Sequence, residues 1–292
     1  MLEISSQQIE WGEKFASGGF GDVYMAKWNN KDVVVKVFKE QIKEKQAVAD
    51  VKSEAELTFS LKHENIIKLY GIVRKQSDIL GIVLEKANNR SLDRWIGKIG
   101  YEKLTKIALG IIDGLEYVHS RNVLHRDIKP NNILMCGPED DMIPKIADFG
   151  VSKVIHTILK THTRAGQELY MPLEVKLSLK SSFPADIFSL TVTLFEMFNN
   201  QLVSKASNEV QRFMLKLHSG KFAEIPESCE VPSHLRDVIK RGFDNDPEER
   251  PKLSEFRSTL SGKDFFISAK YLSELQCILI CKSQDTIIRT RY

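Results

Sequence analysis

The chain has 292 residues, 42% of them hydrophobic and 28% charged, with 42 basic against 39 acidic side chains and a net charge of +3. That is core-forming material for about two domains, and a balance so near neutrality offers no argument for nucleic acid or an anionic membrane as the main partner. Four cysteines (Cys136, Cys229, Cys277 and Cys281) are too few and too scattered for a disulfide framework, and Cys277/Cys281 lack zinc spacing. Reduced thiols in a cytoplasmic protein are expected. The start, "MLEISSQQIEW", has no basic end followed by an apolar run, so no signal peptide is expected. No run of roughly 18 uncharged apolar residues exists, so no membrane-spanning helix is expected.

In chain order, "VYMAKW" and "DVVVKVF" carry β-branched and aromatic residues around "NNK", a turn signal between two strands. "QAVADVKSEAELTFSLK", from Gln46 to Lys62, has helical character. "NIIKLYGIV" and "ILGIVLE" read as two further strands around "RKQSD". From Asn88 the texture changes, and "SLDRWI", "YEKLTKIALGIIDGLEYVHS", "PADIFSLTVTLFEMFNN", "SNEVQRFMLKLHSG" and "PSHLRDVIKRGF" read as helices. The segment Pro184 to Phe198 is apolar on nearly every side, which predicts a buried central helix. A strand-rich first part joined to a helix-rich second part predicts an α+β chain of two lobes, with a ligand cleft at the join near Glu85 to Asn89.

Several stretches carry chemistry. In "KFASGGFGDVY" the glycines 18, 19 and 21 lie between two strand-like runs, and without side chains they let backbone amides approach an anion. A plain glycine-containing hairpin would spell the same letters. In "VVVKVF", Lys36 is the one charge in an apolar strand, and a buried ammonium is costly unless paired. The helix that follows offers Glu54 and Glu56 as partners. In "VLHRDIKPNNILM", ionisable and amide groups are wedged between apolar residues. There Asp127 can accept a hydroxyl proton, Asn132, five residues on, can ligate a hard cation, and Lys129 can neutralise a moving phosphoryl group. In "KIADFG", Asp148 ends a strand before a glycine and is a second cation ligand.

Taken together and in this order, these motifs resemble the eukaryotic protein kinase domain, serine/threonine type, over about residues 9 to 260. The resemblance implies a bilobal fold. It has an extension at 1–8, a β-rich N-lobe at 9–84 with one regulatory helix, a hinge at 85–89, a helical C-lobe at 90–261 and a tail of unknown role at 262–292. It implies that Lys36 holds the α- and β-phosphates with Glu54 as its helix partner, that Asp127 is the base, and that Asn132 and Asp148 hold magnesium, with manganese as an alternative ion. ATP would be held by Ala16, Ser17, Gly18, Gly19, Phe20, Gly21, Val23, Val34, Lys36 and Leu134, by Leu84 as gatekeeper, and by backbone groups of Glu85 and Ala87. His125, Phe149 and Gly150 would serve structure, Glu174 would pair with Arg250, and Asp186 would hold the catalytic loop from beneath. Protein substrates follow as partners.

Lys129 two residues after Asp127 resembles the serine/threonine type, and "AKWNNKDVVVKVF" resembles the tyrosine-kinase-like group. The segment from Asp148 to Glu174 resembles an activation loop in which Thr163, with Thr161 as runner-up, would be phosphorylated by an upstream kinase or by the chain itself and read by Arg126. Four positions depart from the pattern: Ala16 for the first glycine, Val34 for the alanine above adenine, Gln167 for a threonine near the base, and Thr58 for an apolar residue beneath the helix glutamate. Of these, Ala16, Gln167 and Thr58 are what a non-catalytic scaffold reading has in its favour. A small-molecule kinase is disfavoured by the Pro172–Glu174 region.

Overall fold

A computed structural model describes residues 2–17, 21–42, 45–76, 78–149, 167–178, 181–221 and 224–262. The first lobe is built on strand alternation. Along β4 (Lys31–Ile42), Val33 and Val35 point into a core with Ile4, Ile9, Ala26, Val73 and Val83. The period of two sends Lys36 and Phe38 to the other face. There Phe38 packs with Leu69, Ile72, Ile79 and Ile82 beneath α1 (Lys45–Ser60), which contributes Val51 and Ala55. β3 (Gly21–Trp28) joins β4 through Asn29 and Asn30, both at positive φ, the two-residue turn whose twist matches a hairpin.

Six strands form the sheet, in the order β1-β5-β6-β4-β3-β2, with β2 at Glu10–Ser17, β5 at Leu69–Lys75 and β6 at Asp78–Glu85. The first strand, β1 (Leu2–Ser5), lies in the segment expected as an extension, and it pairs in parallel with β5 from Leu2↔Gly71 to Ser5↔Arg74. Ile4 is only 2% exposed. Gly71 permits the approach, since a Cβ there would sit 2.3 Å from the Leu2 carbonyl oxygen.

The second lobe surrounds α4 (Phe183–Phe198), fourteen of whose sixteen residues are buried. Its hydroxyls bond within the helix: Thr191 and Thr193 donate to the carbonyls of Ile187 and Ser189, which removes the penalty of burying them. Around it pack α2 (Tyr101–Ser120), α3 (Leu173–Ser178), α5 (Asn208–His218), α6 (Ser233–Gly242) and α7 (Leu253–Ser261). The stretch "SLDRWI", expected as a helix, makes only a short 3-10 turn at Leu92–Arg94. The Ser91 hydroxyl donates to Asp93 rather than capping, and the Trp95 indole donates to the Asn89 carbonyl. α7 was not expected. It buries Phe256 and Leu260 and ties Arg257 to Asp113 and Glu116 of α2.

Among the described residues, the backbone joins the lobes at two places. One link is the hinge after β6. The other is the loop after α1, where Ile67 N–H donates to the Ile146 carbonyl at 2.9 Å and Ile146 N–H to Asn65 at 2.8 Å. Asn65 also donates to Pro144, and Gly114 of α2 lets it come close, since a Cβ there would lie 2.9 Å from the Asn65 carbonyl oxygen. Ile146 ends β8 (Ile143–Ile146), which pairs with β7 (Ile133–Cys136). Among the described residues, no helix is long and apolar enough to cross a membrane.

Candidate active site

The polar segment after α2 is suspended from α4. Asp186, 1% exposed, accepts from the backbone amides of His125 (2.8 Å) and Arg126 (2.6 Å), and His119 Nε2 lies 3.0 Å from the same carboxylate. Burial alone would raise the Asp186 pKa. The His119 and backbone hydrogen bonds outweigh it and keep the group below the usual carboxylate range. The His125 ring is fully buried: Nε2 donates to the Ala147 carbonyl and Nδ1 accepts from the Asp127 amide, which fixes a neutral ring with its proton on Nε2. Ile128 and Ile133 on either side are completely enclosed. Arg126 takes φ +67°, a conformation unfavourable for a side-chain-bearing residue, with its guanidinium side chain left exposed.

This suspension presents three groups at the cleft. Lys129 Nζ lies 3.0 Å from each Asp127 carboxylate oxygen. Asn132 Nδ2 donates to the Asp127 carbonyl and to Asp127 Oδ2, both at 2.8 Å. With that nitrogen engaged, Oδ1 is the Asn132 atom suited to a hard cation.

From the other lobe comes Lys36, whose Nζ is 2.7 Å from Asp148 Oδ1. Burial pushes the Asp148 pKa upward, but the charge and hydrogen bond of Lys36 more than offset it and hold the carboxyl low. Asp148, expected to end a strand, stands two residues past the end of β8, at φ +65°. Phe149 lies edge-on to His125 at 4.7 Å between centroids, and with Asp148 it lines a pocket closed by Thr58, Ile67, Leu69, Ile82 and Leu84. Thr58 is buried there.

Register carries the expected nucleotide-binding side chains to one region. Val23 pairs with Lys36, Ala16 with Val23, and Val34 with Leu84, expected as gatekeeper. Val23, Val34, Leu84, Ala87 and Leu134 are half-buried, as residues lining a cleft must be. The Ser17 hydroxyl donates to Asp22 at 2.7 Å, so it is committed to the loop itself. Of the Glu85 backbone, expected to face adenine, the amide donates to the Lys68 carbonyl. Its carboxylate reaches Lys145 of β8 at 3.1 Å, an ion pair across the lobes that no spacing in the sequence signals. Gly18, Gly19, Phe20, Gly150, Thr161, Thr163, residues 263–292 and the side chains of Glu54 and Gln167 lie outside the described residues.

Below the cleft, Arg250 donates from both terminal nitrogens to Glu174, at 2.7 and 3.0 Å, and its guanidinium lies 5.2 Å from the centre of the Phe188 ring. Sequence reasoning missed Glu196 near the end of α4. It accepts from Tyr170 Oη at 2.7 Å and from the Val203 amide at 2.8 Å. Burial pushes its pKa up to about 7. Among the described residues no cluster of three or more His, Cys, Asp or Glu could cage a metal. The donor set fits a cation shared between two protein ligands and substrate phosphates.

The protein kinase domain family matches residues 9–260. The chain belongs to that family. Its two lobes, a β-sheet lobe and a helical lobe, are the bilobal kinase fold. Among similar proteins are the probable serine/threonine-protein kinase SIS8 of Arabidopsis thaliana, 29% identical over 88% of this chain and 25% of its own length. The probable serine/threonine-protein kinase nek2 of Dictyostelium discoideum is 31% identical over 82% of this chain and 59% of its own. The serine/threonine/tyrosine-protein kinase HT1 of Arabidopsis thaliana is 28% identical over 88% and 67%. The kinase domain thus spans a quarter of the first of these relatives and under two thirds of the second.

Proposed function

We propose that this chain is an ATP-dependent protein kinase of intracellular signalling that transfers the γ-phosphoryl group of ATP to serine and threonine hydroxyls of protein substrates in the cytoplasm. The observation that carries the reading is the meeting of Lys36 and Asp148, 112 residues apart, at 2.7 Å beside the Asp127–Lys129–Asn132 cluster. Phosphoryl transfer needs positioned charge more than covalent help, and this cluster is positioned charge. Lys36 would orient the α- and β-phosphates. Asp127, held in place by Asn132, would take the substrate proton. Lys129, already beside that carboxylate, would offset charge as the phosphoryl group moves. Asn132 and Asp148 would hold magnesium, which neutralises phosphate oxygens when bound.

The test is phosphate transfer from labelled ATP to a mixed serine/threonine peptide pool. Wild type should label the pool with magnesium, and Asp127→Asn and Lys36→Met should abolish labelling while retaining the wild-type melting temperature. Equal labelling by all three proteins would end the reading. Arg126, exposed and next to the base, supports a further element: phosphorylated Thr163, with Thr161 as second choice, ordering the segment before Glu174. Undiminished turnover in Thr163→Ala would remove that element alone.

A further inference from the structure

The kinase reading leaves the first strand without a task. β1 is a well-supported platform. Its backbone is in register with β5, and Ile4 is sunk in the core. The chain then turns back through a capping box in which the Gln7 amide donates to Ser5 Oγ and the Ser5 amide to Gln8 Oε1. From this platform one side chain reaches outward. The Glu3 carboxylate touches Lys52 Nζ at 2.6 Å and Arg74 Nε at 2.9 Å. Arg74 belongs to β5 and Lys52 to α1, so a single carboxylate spans from the sheet to the helix.

α1 needs such a contact. Among its described side chains, α1 sinks Val51, Ala55 and Thr58 into the lobe and lays Phe59 against the same core, while Leu57 is 40% exposed. These four positions, spaced by four, three and one, form one stripe along the helix, and the Lys52 contact lies off that stripe. Lys52 follows Val51 directly and gives a further, off-axis point. The same helix carries Glu54, the residue which the kinase resemblance pairs with Lys36. An error in roll at Lys52 is therefore an error in the placement of position 54.

We propose that Glu3 is a positioning residue for the nucleotide site, setting the roll of α1 through Lys52 and so governing how well Lys36 receives the phosphates of ATP. This rests on the kinase reading. Glu3 touches no substrate, so its effect falls on nucleotide affinity and not on the proton transfer at Asp127. The Glu3 and Lys52 side chains are about half and one-third exposed, so the effect is modest and salt-sensitive.

The experiment compares the full chain with Glu3→Gln, Lys52→Gln and the double variant. It measures the dissociation constant of a fluorescent ATP analogue with magnesium, the kcat and KM for ATP with a serine/threonine peptide pool, and the melting temperature. Each single variant should weaken nucleotide binding and raise KM by about two- to fivefold with kcat held, and the double variant should be no worse than either single one. High salt should erase the difference. Lys52→Gln leaves β1 and its Arg74 contact intact, so it gives the answer even where Glu3→Gln fails to fold. Variants that lose thermal stability with unchanged nucleotide affinity, or that multiply their effects, would overturn the proposal. A wild-type chain that neither binds the analogue nor transfers phosphate would instead overturn the kinase reading, and the two failures are told apart by the wild type alone.

Discussion

The catalytic segment after α2 and the helix α1 are held in opposite ways. The first hangs from Asp186 by two backbone amides and a histidine, all inside the larger lobe, with a fully buried His125 and two enclosed isoleucines beside it. The second rests on one stripe of packed residues, Val51, Ala55, Thr58 and Phe59, and on a carboxylate contact at the surface. Strength differs because burial differs: an ion pair in water is worth little, whereas a buried carboxylate serving several donors is hard to do without. The lesson is that Asp127, the proposed proton acceptor, is a fixture of the lobe, while α1, proposed to tune the site at Lys36, is held in part by a contact that can be shifted cheaply.

The sharpest way to break this contrast is Asp127→Asn. Because the segment is fastened elsewhere, the fold should survive, and kcat should fall about 10²- to 10⁴-fold. A variant that also lost its melting transition would show that the base is itself a fastening. Asp186→Ala reverses the expectation. It strands the His125 and Arg126 amides and should cost roughly 3–5 kcal/mol in equilibrium denaturation. A loss below about 1 kcal/mol would mean the segment has supports besides the helix beneath it.

Glu196 sharpens the comparison within the larger lobe. Its folded pKa, raised by burial to about 7, exceeds the ordinary carboxylate value of 4.5. The folded state therefore holds the proton more tightly. The stabilisation is complete below pH 4.5 and is lost as pH rises through about 7, a difference of roughly 3 kcal/mol over that window. Glu196→Gln should flatten this part of the stability–pH profile and raise the melting temperature at pH 8. A profile still falling between pH 5 and 8 in the variant would assign the effect to another group. The smallest effect is expected at the join: Lys145→Met should change stability by no more than about 1 kcal/mol, since Glu85 and Lys145 both retain access to water. A larger loss by denaturant titration would place this pair with the buried fastenings.

Much of this arrangement was legible in the letters. Residues such as Lys36, Asp127, Asn132 and Asp148 stand out because charge in an apolar context is expensive and must have a use. Asn29–Asn30 announced its hairpin because few residues accept positive φ. The central helix was plain because it is apolar on every side. What stayed hidden depends on distance. Nothing near Glu85 points to Lys145, sixty residues on, and nothing in "LEIS" says that it will find the edge of β5. Nothing in the apolar central segment singled out Glu196, since its partners Tyr170 and Val203 come from other elements. "SLDRWI" had helical letters but too short a run for them to prevail over a serine and a tryptophan with nearer partners.

The double attachment of the lobes has a mechanical result. A single tether would let the smaller lobe swivel in any direction. Two anchors, the strand-like exchange of Asn65 and Ile67 with Ile146 and the chain passing through Glu85, define an axle. A swing about the line through both anchors would open the cleft, and it must part Lys36 from Asp148, an ion pair that also crosses between the lobes. Groups on that line, such as Asn65 and Glu85, barely travel, while groups away from it sweep wider arcs.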